Sequence, residues 1–281
     1  MTGRRAIGLT PVILPVAIIG AWIVVGVFAT WLMPKDPLIG NLRASLLPPM
    51  WITGGSGEYP LGTDLHGRDI LSELIMGARL TLIVAFGAVS IGAVTGTLTG
   101  LIVGYFGGWT DAILMRIADF VLAFPVLLGA LLLAITIGPS FAMVVAIIGL
   151  VLWPRFARIV RSEVLSLRNR EFVAAAVVSG ASPRRILLRH LLPNVLNTVI
   201  VMATLQIGQS ILAEASLSFL GVGVPPPNPS WGAMINAGRD YLQSAWWLSV
   251  IPGIAILGVV LAVNLTGDAI RDAFDPRLRR R

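Results

Sequence analysis

Within residues 197–221 the chain reads NTVIVMATLQIGQSILAEASLSFLG, an apolar run interrupted by amides, hydroxyls and one carboxylate. Gln206, Ser210 and Glu214 recur every four residues, which places them on one helix face, with Gln209 beside them. A carboxylate at membrane depth costs at least about 2.5 kcal/mol unless it meets water or a partner. Two arrangements satisfy that demand. The face lines an aqueous translocation path, or it hydrogen-bonds neighbouring helices as interior glue. The residues alone leave both open, and Glu214 lies far enough toward one end of the run for surface water to be a third host.

Other chemistries are excluded. There is no cysteine, so disulfides, thiolate metal sites and thiol catalysis are absent. His66 and His190 are far apart in sequence and suggest no metal cluster. A Walker A motif needs a lysine that reaches nucleotide phosphates. The only lysine is Lys35, in MPKDP, so the chain is not a P-loop ATPase by that motif.

A second unusual stretch is EFVAAAVVSGASPRRILLRHLLPN, residues 171–194. Glu171 to Ser179 suits a short helix, and Gly180 suits the positive-φ position that ends one. Ser182 is a good N-cap and Pro183 fits the first helical position. Arg184 to Leu192 is then a second short helix, with Leu187, Leu188 and Leu191 in one sector and Arg185 and Arg189 in another. Pro193 is expected to end it. The pair predicts a helix–turn–helix along the inner membrane face. Ala174, Ala175 and Ala176 leave backbone accessible to a rigid docking partner. The plainer reading is a basic interfacial segment that only satisfies topology.

The elements that position these residues follow from composition. The chain is 56% hydrophobic and only 12% charged, where a soluble domain is about a quarter charged. Apolar runs of membrane-crossing length recur. They predict an all-α membrane protein with six spans, near 11–33, 80–104, 117–137, 141–160, 196–220 and 246–266. The first run is too long for a signal-peptide core and reads as an uncleaved anchor. Among the 21 lysines and arginines, Lys35, Arg43, Arg68, Arg79 and Arg239 fall outside when both termini are placed in the cytoplasm. All others lie inside, with Arg155 and Arg158 assigned to the inner end of the fourth span, so the chain obeys the positive-inside rule. That accounts for the net charge of +7 without nucleic acid.

Gly92, Gly96, Gly100 and Gly104 predict a close-packed seam on the second span. Pro125 and Pro154 predict kinks or loosened ends in the third and fourth. The regions 34–79 and GVPPPNPSWGAMINAGRDYLQSAWW read as outer loops, with Trp246 and Trp247 suited to the membrane interface. Two regions result: residues 1–79, an anchor helix and long extracytoplasmic loop, and residues 80–281, a core with a cytoplasmic segment at 161–195.

The 171–194 stretch resembles the EAA loop of ABC-importer permeases, through Ala174, Ala175, Ala176, then Gly180, then Leu192-Pro193. From about residue 60 onward, LGTDLHGRDILSELIMGARLTL, GYFGGWTDAILMRIADFVLAFP, RHLLPN, EASLSFLGVGVPPPNPSWG and NLTGDAIRDAFDPRLR are similar, in order, to the permeases of dipeptide/oligopeptide importers. One departure stands out: the acidic first position of the pattern is Ala174, and Glu171, a turn earlier, is the nearest substitute.

The resemblance implies a type I ABC importer permease fold in the cytoplasmic (inner) membrane. It implies alternating access driven by separate cytoplasmic ATPase subunits that use ATP and Mg, with no cofactor on this chain. Glu171, Ala174, Ala175, Ala176, Gly180, Ser182, Arg185 and Pro193 would couple to the ATPase. Gln206, Gln209, Ser210 and Glu214 would border the path. A homologous second permease, an extracytoplasmic substrate-binding protein and membrane lipid are the implied partners. Short peptides are the expected cargo. Nickel complexes, glutathione or haem are alternatives, and an ion-coupled secondary transporter is a more distant one.

Overall fold

The computed structural model describes residues 10–274, and every regular element among them is a helix. An apolar N-terminal segment forms α1 (Thr10–Val27) and the one-turn α2 (Ala29–Leu32). After a long loop come α3 (Ile70–Phe106), α4 (Gly108–Ala123), α5 (Val126–Ile137) and α6 (Phe141–Leu167). The short α7 (Glu171–Val178) and α8 (Pro183–Arg185) lead through a π-helical stretch, Ile186–Leu191, into α9 (Leu192–Phe219). A short α10 (Trp231–Gly238) and the long α11 (Trp247–Phe274) complete the chain. Arg4, Arg5 and Arg279 to Arg281 lie outside the described residues.

Among the described residues, four helices are long and apolar enough to cross a bilayer: α3, α6, the continuous 183–219 helix, and α11. The pair α4 and α5 is apolar enough together, but bent by 86°. Its break falls at Phe124–Pro125, where proline removes a donor and holds the preceding residue extended, at ψ 130°. The kink expected at Pro125 is therefore nearly a right angle. Pro154, by contrast, is carried inside α6.

The glycine seam organises the core. A Cβ on Gly92 would sit 2.6 Å from the Cβ of Leu152, on Gly96 2.5 Å from that of Phe156, on Gly100 2.7 Å from that of Val160, and on Gly104 2.7 Å from that of Val164. Each partner is sixty residues on, so α3 and α6 run parallel and in register. Glycine is what lets the two backbones approach this closely. Parallel neighbours need a connection that returns the full length of the pair, and α4 with α5 supplies it. The Gly104 end of the pair is tied by Arg161, which donates from Nε and Nη2 to the two carboxylate oxygens of Asp111 at 2.5 and 2.6 Å. Arg158 pairs with Asp119 on the same two helices.

The opposite end of the bundle departs from expectation in three places. Helix α3 begins at Ile70, so residues 70–79 are not loop. Asp69 caps it, accepting from the Ser72 backbone N–H at 3.0 Å and the Ser72 hydroxyl at 2.6 Å. The connection between α9 and α11 contains α10, capped by Ser230 and anchored by the fully buried Trp231. Trp231 donates from its indole to the Leu74 carbonyl at 3.0 Å and packs edge-on to Trp22. Of the two adjacent tryptophans, Trp246 is exposed, whereas Trp247 is buried within the bundle. Its indole N–H donates to the Thr63 carbonyl at 3.2 Å, tying α11 to the loop that precedes α3.

Candidate functional site

The 171–194 stretch folds as a helix, a tight turn and a longer helix. Helix α7 ends in a Schellman motif: the Ala181 N–H donates to the Ala176 carbonyl at 3.0 Å and the Gly180 N–H to the Val177 carbonyl at 2.9 Å. Gly180 has φ +75°, the left-handed conformation that this turn requires. The Ser182 hydroxyl then accepts from the Arg185 N–H at 3.4 Å, with Pro183 at the first helical position.

Beyond that point the structure corrects the reading. Pro193 does not end the second helix, which continues to Phe219. The residues before it form a π-helical stretch, with the Leu192 N–H bonded back to the Leu187 carbonyl. A wider turn makes room for a proline that would clash in a regular α-turn. The same widening changes which side chains face inward. Ile186, Leu191 and Val195 are buried, whereas Leu188 is exposed.

Helix α7 is anchored by Val173, which joins the same apolar core as Ile186 and Leu191. Its other face is open. Glu171, Phe172, Ala174, Ala175, Val177 and Val178 are exposed, and Val178 is 89% so. Arg185 and Pro193 are exposed as well. The result is an apolar, small-residue platform fixed to the bundle from behind and flanked by arginines.

The polar stripe of α9 divides. Ser210 and Glu214 are buried, Gln206 is half-buried, and Gln209 is exposed on a neighbouring face. Glu214 has no exposed surface, and it accepts from the Ser218 hydroxyl at 2.7 Å and the Thr81 hydroxyl at 3.4 Å. It thus links α9 to α3. The Ser210 hydroxyl donates to the Gln206 backbone carbonyl at 2.8 Å. Gln209, Ser210 and Ser216 line a cavity of about 260 Å³ between α9, α6 and the start of α5. Glu214 does not line it.

The same cavity holds a residue that the sequence reading assigned to the inner rim. Arg155 is exposed on α6 and donates to the Gln206 side-chain oxygen at 3.2 Å. Gln206 lies at the middle of α9. The available signal was Pro154-Arg155 inside the apolar run GLVLWPRFARIV, which counting charges per side does not resolve in depth.

Residues 96–280 match the model of the family described as the binding-protein-dependent transport system inner membrane component. The chain belongs to this family. The match starts in the α3 glycine seam and takes in the α7 platform and the α6–α9 cavity, so every candidate site residue lies within it. The chain is 42% identical to the di/tripeptide transport system permease protein of Pseudomonas aeruginosa over 90% of its own length and 83% of that protein. It is 40% identical to the glutathione transport system permease protein of Escherichia coli over 92% and 83%. Among solved structures, an inward-facing form of the MetNI methionine ABC transporter matches with a TM-score of 0.56, 17% identity, and coverage of 72% of this chain and 97% of that one. That likeness bears on the fold, an importer-permease helical bundle. As a member of the family, the chain is a multi-pass inner-membrane transport permease.

Proposed function

We propose that this chain is one permease subunit of an ATP-driven importer of short peptides, moved by separate ATPase subunits through the 171–193 segment. The observation that carries the coupling role is the α7 platform. Its outer face is exposed, apolar and small, while its inner face is packed into the same core as α6 and α9. A partner that pushes on α7 pushes on the bundle. Glu171 stands exposed at the start of α7, available to an ATPase arginine in place of the acidic residue absent at Ala174.

In this reading the chain crosses the membrane six times with both ends inside. The bent α4–α5 pair counts as one crossing and α1 as the first. A homologous second permease completes the path, an extracytoplasmic binding protein delivers cargo to the outer loops, and the ATPases use ATP and Mg. Gln206, Gln209 and Ser210 border the path, and Glu214 holds α9 to α3.

The test is co-purification followed by transport. The chain expressed with its neighbouring subunits should retain ATPase subunits in detergent, and the reconstituted complex should take up labelled dipeptide when ATP and binding protein are present. Failure to retain any ATPase with residues 171–193 intact would sink the coupling role. Glutathione, a nickel chelate and haem as competitors identify the cargo, and displacement of the dipeptide by one of them alone would reassign it.

A further inference from the structure

Arg155 is a guanidinium on a largely apolar cavity, with no carboxylate paired to it among the described residues. Twelve residues, about 18 Å, separate it from the inner end of α6. Its side chain meets Gln206, which is about 21 Å from the start of α9 and about 20 Å from its end. The hydrocarbon core is about 30 Å thick and each of these helices is about 10 Å longer, so even with the whole excess at one end this contact lies about 8 Å inside it. An exposed arginine at such depth faces a water-filled space or another polar surface rather than lipid. Its recorded side-chain partner among the described residues is a neutral amide oxygen. The acids of the adjoining helix are taken, Asp119 by Arg158 and Asp111 by Arg161.

The geometry points to Arg155 as a binding residue for the C-terminal carboxylate of the transported peptide, an inference that rests on the peptide-import reading above. A guanidinium presents paired donors that match a carboxylate in two parallel hydrogen bonds. The cavity of about 260 Å³ at its head is walled by Val126, Leu127, Val151 and Leu152 and dressed by Gln209 and Ser210. That volume takes a carboxylate and the atoms next to it, and the rest of a peptide would extend through the open side. Gln206 holds the guanidinium when the site is empty and yields it to a charged acceptor, because a charge-assisted bond is stronger than a neutral one.

The experiment crosses two peptides with three transporters. Uptake of a dipeptide and of its C-terminal amide is measured in the reconstituted complex, with binding protein saturated by each. Wild type, Arg155→Gln and Arg155→Lys are compared. The binding protein's own preference is common to all three and cancels from the comparison. The free-acid to amide uptake ratio should fall roughly tenfold or more in Arg155→Gln, the loss expected for a charge-assisted hydrogen bond. Uptake of the amide should fall far less, and Arg155→Lys should keep part of the ratio. An unchanged ratio overturns the inference, as does an equal fall for both peptides. Disassembly of the Arg155→Gln complex combined with a wild-type ratio in Arg155→Lys also overturns it, because the arginine would then be pairing a neighbouring subunit. Wild type that imports neither peptide refutes the parent reading instead.

Discussion

Glu214 is a carboxylate with no exposed surface, held by the hydroxyl of Ser218 on its own helix and that of Thr81 on α3. Glu214→Leu should therefore act on stability first. It strands two hydroxyls that can fall back only on their own helix carbonyls, at about 1–2 kcal/mol. Thermal melting of the purified complex should show a lowered midpoint, with Glu214→Gln milder because it keeps an acceptor. Unchanged melting with transport lost would return Glu214 to the path. Gly180 was legible outright, since a helix followed by Gly and Ser-Pro requires a left-handed turn. A Cβ there meets nothing within 4 Å, so the cost of a substitution is conformational, about 1–2 kcal/mol. Gly180→Val should tilt α7 on its mount, leaving insertion intact while ATP hydrolysis continues with reduced uptake. Full uptake by that variant would contradict the handle.

At the scale of elements, spacing carried the glycine seam and failed at the π-turn. Four glycines at intervals of four specify a groove whatever packs into it, so the seam could be recognised without knowing that α6 fills it. Gly96→Ala already places a Cβ 2.5 Å from the Phe156 Cβ and 2.6 Å from the Trp153 carbonyl oxygen. Separating the helices to relieve that contact should cost about 1–3 kcal/mol. Gly20 on α1 has nothing within 4 Å of such a Cβ, and Gly20→Ala should match or exceed wild type in the same melting assay. Equal stability of the two variants would deny the seam its role. The stretch before Pro193 was misread because a 3.6-residue period grouped Leu187, Leu188 and Leu191. The wider turn instead buries Ile186 with Leu191, five residues apart. Helix α10 was missed for a different reason. Eight residues within a proline-rich loop are too few to show a period, and what holds them is the contact of Trp231 with α3 and α1.

The topology of the whole molecule follows from the direction of one helix pair. Because α3 and α6 are parallel, a chain that descends through α3 must climb back before α6 descends again. The α4 and α5 legs measure about 24 and 18 Å, and at nearly a right angle they reach about 30 Å, the thickness of the hydrocarbon core. A bent pair of that reach is long enough to cross, which a re-entrant loop would not need to be. The absence of cysteine makes this measurable, since a single introduced thiol is the only one present. Glu58→Cys in the first outer loop and Pro139→Cys before α6 should react with an impermeant maleimide added outside intact cells. Val178→Cys on α7 and Asn169→Cys before it should react only after the membrane is opened. Protection of Pro139→Cys alongside a reactive Glu58→Cys would show that the bent pair does not return the chain to the outer side. That result would conflict with the parallel register of α3 and α6, so the assay tests the bundle's architecture together with its orientation.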